Sequence, residues 1–200
     1  MNVGELSDII NILSVEQVGN VYSWKELNSI FSKVKKSNSR NLYSFFGIGA
    51  KSIEFTIRKL EYENLTQHNS INWNGLHCVI TDIIESDDKE YYVISAALVE
   101  PKTCTIKHTS KPTYNNLNNP VYSEPTIITF PAYITEKYVK YTQGQPMTTI
   151  ESSIILITPK VISLNKGEIV TFNNKEYEVI LDHVLDEYRN EYEILQRGNT

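Results

Sequence analysis

The segment Ile71-Asn72-Trp73-Asn74-Gly75-Leu76-His77-Cys78-Val79-Ile80 decides the fold. Apolar residues flank Asn74-Gly75, a pair that readily adopts positive φ. The segment therefore reads as two antiparallel strands joined by a tight hairpin turn. The same chemical pattern returns 99 residues later as Val170-Thr171-Phe172-Asn173-Asn174, followed by Lys175-Glu176-Tyr177-Glu178-Val179. A repeat at such a period outranks local signals, because it sets the organisation of the whole chain.

Working outward, each half has a β-branched run before the hairpin, at 53–57 and 154–157. Each has a second strand after it, at 78–84 and 177–184. An acidic turn follows, Ser86-Asp87-Asp88-Lys89 in one half and Asp186-Glu187-Tyr188-Arg189 in the other. An alternating strand closes each half, at 91–98 and 191–195. A shift of 100 residues lays Ile57 on Ile157, Asp82 on Asp182, Tyr92 on Tyr192 and Ile94 on Ile194. Three strands and two turns in the same order favour a duplication over chance likeness of β-segments. All seven prolines lie at or after Pro101, a second sign of two segments with separate histories. The polar stretch at 109–120, rich in Asn and Pro, is turn chemistry.

The expected fold is all-β: two small antiparallel β-barrel domains in tandem, residues 1–101 and 102–200, with minor helical segments. The helical expectation comes from the N-terminal region. Leu6, Ile9, Ile10 and Leu13 have helical spacing, although Ile10 and Ile12 also alternate as a strand would. Trp24, Leu27 and Phe31 repeat that spacing, and Ser23 with Glu26 forms a capping-box pattern.

Composition narrows the function. The formal net charge of −5 argues against wrapping nucleic acid by phosphate neutralisation, but suits a wall past which DNA slides. No apolar stretch approaches the roughly 18 residues that cross a membrane, so no membrane is expected. The start, Met1-Asn2-Val3-Gly4-Glu5, lacks the basic and apolar regions of a signal peptide, which makes the cytoplasm the expected compartment. Cys78 and Cys104 read as reduced, buried, small apolar residues. The thirteen tyrosines suit strands and interfaces.

Catalysis is not expected. His68, His77, His108 and His183 are scattered, with no pair at metal-ligand spacing, so neither metal nor other cofactor is expected. His77 and Cys78 are adjacent on one strand, and their side chains point to opposite faces. The paired carboxylates Asp87-Asp88 and Asp186-Glu187 sit at hairpin tips, where solvation explains them better than acid–base chemistry.

Two regions are candidates for contact. Lys33, Lys35, Lys36 and Arg40 form a basic cluster, either an ordinary solvated strand end or a contact to DNA phosphates or an acidic neighbour. Next comes Tyr43-Ser44-Phe45-Phe46-Gly47-Ile48-Gly49-Ala50, apolar and aromatic between polar flanks. It reads either as a buried segment or as a loop that packs on a partner, with Tyr43, Phe45 and Phe46 as its anchors. In the second half, 138–147 is similarly aromatic and turn-rich, with Tyr138 and Tyr141 as the matching candidates.

In the order of these elements the first hundred residues resemble the head–tail adaptor or head-closure (stopper) proteins of long-tailed bacteriophages. The residues are Met1, Gly4, Leu6 and Ile9-Ile10-Asn11-Ile12, then Trp24 and Ile30-Phe31-Ser32-Lys33-Val34. After a variable loop come Phe55-Thr56-Ile57-Arg58 and the hairpin Trp73 to Ile80, with Cys78 where the family's hairpin has Tyr. A weaker second copy runs from Lys166-Gly167-Glu168-Ile169-Val170 to Leu195, whereas family members mostly have one domain. The resemblance implies a non-enzymatic, homo-oligomeric ring in the neck of a virion, assembled in the bacterial host cytoplasm. A portal or adaptor protein would lie above it and a tail terminator or tail tube protein below, with packaged DNA passing through. The variable loop would touch neighbouring subunits or the channel. A small-barrel nucleic-acid-binding module and a tail or tube-end structural protein are the alternatives.

Overall fold

The structure, a computed structural model, describes residues 6–40, 51–108, 113–121, 124–143, 148–183 and 186–198, with side chains except at 37–40, 113, 137–143 and 148–152. It is nearly all β. The first half contains β1 (Asp8–Val18), β2 (Val21–Arg40), β3 (Lys51–Arg58), β4 (Ser70–Trp73), β5 (Leu76–Glu85) and β6 (Tyr91–Leu98). The second contains β7 (Lys102–His108), the short pair β8 (Thr113–Tyr114) and β9 (Pro120–Val121), then β10 (Thr126–Gln143), β11 (Thr148–Pro159), β12 (Ile169–Phe172), β13 (Lys175–His183) and β14 (Arg189–Gln196).

The strands hydrogen-bond in two closed circuits of six. One runs β1-β4-β5-β6-β3-β2 and back to β1; the other runs β10-β11-β14-β13-β12-β7 and back to β10. Matching the strands in chain order makes the two connectivities the same. A parallel bridge between Val21 and Thr129 joins them, with the Thr129 N–H donating to the Asn20 carbonyl at 2.9 Å. The chain passes from one circuit to the other between β6 and β7. The described part of the polar stretch, 113–120, follows β7 and precedes β10 in the chain, so it is not the link between the two circuits. There the Asn115 side chain accepts from the backbone N–H of Leu117 and Asn119, the local bonding expected of Asn in a turn.

Tight turns set the hairpins. Asn74 and Gly75 have φ of 51° and 77°, and Asn173 and Asn174 have 48° and 59°. These are the left-handed values that two-residue hairpins need. The Trp73↔Leu76 and Phe172↔Lys175 pairs close the two turns identically, so Trp73 and Phe172 occupy equivalent positions.

The ladders correct the other matches made by sliding the sequence. Each second strand carries a bulge, between Ile80 and Asp82 on β5 and between Val179 and Leu181 on β13. Aligned on these bulges, Ile94 matches Tyr192, and Asp82 matches Leu181. Phe55, opposite Ile94, then matches Leu156, opposite Tyr192. Ile57 therefore matches Thr158, not Ile157. Thr158 is buried at a position that is apolar in the first half, and its hydroxyl is satisfied by the Ile162 carbonyl at 2.8 Å.

Each circuit encloses its own core. The first holds Ile10, Ile12, Ile30, Phe55, Ile57, Ile71, Trp73, Cys78, Ile80 and Ile94. The second holds Cys104, Ile106, Phe130, Ala132, Leu156, Val170, Tyr177, Val179, Tyr192 and Ile194. Both cysteines are free and buried, in separate cores. Burial pushes both thiols up to about 12, so they behave as apolar filler.

The N-terminal helices expected from spacing are strands. The only helix-like element among the described residues is a 3-10 turn at Lys59–Glu61. Ile10, Ile12 and Ile30 point inward, while Ile9, Leu27 and Phe31 lie on the outer face, about half exposed. Apolar residues on both faces mimicked helical spacing, and pairing of β1 with β2 over eleven rungs overrode it. Glu26 caps no helix; its carboxylate accepts from the Asn11 amide across the ladder and from the Ser29 hydroxyl on its own strand.

Candidate functional site

The basic cluster lies where β2 leaves the first circuit. Alternation places Ser32 inside and Lys33 and Lys35 outside, opposite Thr56 and Glu54 on β3. Lys35 approaches Glu54 at 3.5 Å, both side chains exposed, a contact worth little in water. Lys36 turns over the mouth of the circuit, its ammonium 5.0 Å from the centre of the Trp73 ring. Trp73 itself is buried, edge-on to Phe55, with its N–H donating to Asp8. Arg40 is the register partner of Lys51, so two cations share one rung at the far end. Lys33, Lys35, Lys36, Lys51 and the Arg40 backbone thus gather at one end of the first circuit.

Tyr43, Phe45 and Phe46 lie outside the described residues. Tyr138 and Tyr141 are on β10, opposite Ser152 and Ile150 of β11; their side chains lie outside the described ones. Beyond Ile154 the β10–β11 ladder continues for several rungs, while the β11–β14 ladder stops at that residue. This hairpin therefore projects past its circuit, at the position equivalent to the β2–β3 connection.

A second cluster, unforeseen from the sequence, forms the joint between the circuits. The outward residues Val79, Ala97, Tyr133, Ile155 and Ile157 make a separate buried core, flanked by Trp24 and Val99. Two cross-strand pairs face each other there, Val79↔Ala97 and Tyr133↔Ile157. His77 forms a hydrogen bond with the Tyr133 hydroxyl at 2.8 Å and packs against the Trp24 ring at 5.1 Å. Burial lowers its pKa to about 4, so the ring is neutral near pH 7. Desolvation likewise raises that of Tyr133. The buried Arg189 guanidinium crosses from β14 and donates to the carbonyls of Ile80 and Gln67. Tyr188 meets His68 edge-on at 5.1 Å.

His77 and Cys78 do separate to opposite faces, one in the joint and one in the core. The acidic pairs are turn residues. Asp88 is held by the Ser86 hydroxyl and the Glu90 N–H, in that order of effect, which lowers its pKa. Asp186 accepts from the backbone N–H of Tyr188 and Arg189. Among the described residues, no three His, Cys, Asp or Glu side chains converge as a metal site requires.

The signal for the joint was present in the sequence. Cys78-Val79-Ile80, Ala96-Ala97 and Ile154 to Ile157 are unbroken apolar runs rather than alternating ones, the mark of strands covered on both faces. No family model matches this chain, and no curated protein matches it either.

Proposed function

We propose that the chain is a structural component of a phage head–tail connector, a stopper or adaptor ring that closes the DNA channel below the portal and docks the tail. The two six-strand circuits are read as small antiparallel barrels, residues 1–101 and 102–200. The observation that carries the proposal is the paired architecture. The two circuits share one connectivity, a long hairpin projects from the second, and a well-packed joint joins them. Such a unit is a double block with a projecting contact element, suited to building the wall of a ring. No bond-making step is involved; the role is geometric and uses no cofactor.

The basic cluster bears on the nucleic-acid-binding alternative. Lys35 already faces Glu54 and Lys36 lies on Trp73, and the chain as a whole is acidic. A phosphate-tracking groove would need an uninterrupted run of cations interleaved with exposed aromatic rings. The test is imaging of purified virions with this chain tagged at its C-terminus. Label between the capsid vertex and the tail supports the proposal; label elsewhere on the particle, or none, rejects it.

A further inference from the structure

We propose that Asn74 is a deamidation site that the fold keeps closed, with Asn72 as the positioning residue that restrains it. The inference rests on the β4–β5 turn and is independent of the ring reading.

Asn74-Gly75 is the only Asn-Gly step in the chain. In such a step the backbone nitrogen of the glycine attacks Cγ of the asparagine. The nitrogen gives up its proton, the N–Cγ bond forms, and the carboxamide C–N bond breaks with release of ammonia. Water then opens the cyclic imide at either of its carbonyls. The product is Asp at position 74, or an isoaspartyl link that carries the main chain through Cγ. Glycine favours the attack because no side chain shields its nitrogen. Both residues are exposed here, and a Cβ at Gly75 would meet nothing within 4 Å. Water therefore reaches the turn, and crowding does not hold the reaction back.

Two features of the turn do. The first is its backbone. Asn74 and Gly75, with φ of 51° and 77°, form the mirror-image turn of a two-residue hairpin, closed by the Trp73↔Leu76 pair. An imide ring fixes the rotation about the Asn74 Cα–C bond far from the value that such a turn uses. The ring therefore closes only after the turn opens. The second is a hydrogen bond. The Gly75 N–H donates to Oδ1 of Asn72 at 3.0 Å. This bond is made to the protonated nitrogen, so it opposes the proton loss on which the attack depends. It also aims the nitrogen at Asn72 and away from the Asn74 carboxamide.

The second circuit supplies an internal comparison. Asn173 and Asn174 hold the same left-handed conformation, with φ of 48° and 59°. The residues that follow them, Asn174 and Lys175, both carry side chains, and Thr171 stands where the first half has Asn72. The restraining carboxamide thus accompanies the glycine that makes its turn vulnerable. Deamidation would place a new carboxylate next to Trp73, whose ring carries the Lys36 ammonium. An isoaspartyl link would also lengthen the backbone of the turn and break its closing pair.

The test is peptide mapping by mass spectrometry on the full chain, held in mildly alkaline buffer with and without urea. Deamidation at Asn74 should be roughly tenfold or more faster in the unfolded chain than in the folded one. Asn72→Ala should speed the folded reaction about fivefold, the worth of one hydrogen bond. Asn72→Asp keeps an acceptor for the Gly75 N–H and should leave the reaction slow. Neither substitution should change the rate at Asn173. Arg189→Met weakens the fold outside the turn and should not speed the reaction at Asn74. Equal rates in the folded and unfolded chains would overturn the inference, as would an intact Asn74 in both. An Asn72→Ala rate no higher than that of the unaltered chain, or matched by Arg189→Met, would overturn the role of Asn72.

Discussion

Acidification should weaken the fold through His77. The side chain is buried in the joint, and its described ring partners, Trp24 and Tyr133, offer no carboxylate to stabilise a charge. Its pKa is about 4 in the fold, against 6.5 for the free side chain. Between those values the unfolded chain binds a proton that the folded chain does not. Stability therefore rises with pH across this window; it is fully present above about 6.5 and lost as pH falls toward 4. The linkage amounts to about 2 kcal/mol by pH 5 and roughly 3 kcal/mol by pH 4. Other groups titrate in the same range, so the measurement is a difference. Urea unfolding of the unaltered chain and of His77→Gln would be followed from pH 8 to pH 4.5 by tryptophan fluorescence. Trp24 reports the joint and Trp73 the first core. His77→Gln should be the less stable of the two at pH 8 and should lose that disadvantage as pH falls. Parallel stability curves for the two proteins would refute the reasoning, since the buried neutral ring would then carry no proton linkage.

Other substitutions read out the turns, the joint and the cores. Gly75→Ala places a side chain at φ 77° and should cost about 1 kcal/mol in chemical unfolding, with the strand content unchanged. Arg189→Met removes the donor that serves the Ile80 and Gln67 carbonyls and should lower stability by about 2 kcal/mol. The thiols of Cys78 and Cys104, raised to about 12, should resist a thiol reagent at pH 8 until the chain is unfolded.

The local chemistry of the halves was legible before the structure, and the register between them was not. Asn74-Gly75 and Asn173-Asn174 announce their turns because few residues tolerate positive φ. Trp73 and Phe172 lie next to those turns and matched correctly. Ile57 did not match Ile157, because the segment from Ile57 to Trp73 is two residues longer than its counterpart from Thr158 to Phe172. A constant shift cannot follow such a change in loop length. Tyr92 was mismatched for the same reason, since the step from Ile83 to Ile94 is one residue longer than that from Asp182 to Tyr192 at the equivalent rung. At the N-terminus, Ile9, Leu27 and Phe31 gave a false helical period because they are apolar yet lie on the outer face. The unbroken apolar runs at 78–80, 96–97 and 154–157 mark strands covered on both faces, but not which strands cover them. Tyr133 and Arg189 have partners from the other half of the chain, and no local pattern reports a contact over such a separation.

The central claim is that this chain closes and joins a phage neck, and deleting its gene from the phage tests it most directly. The measurement is electron microscopy of the particles released by the deletion strain. The account predicts assembled capsids that package DNA but fail to retain it or to bind tails, so that tailless heads and free tails accumulate separately. Tailed, infectious particles from the deletion strain would contradict it.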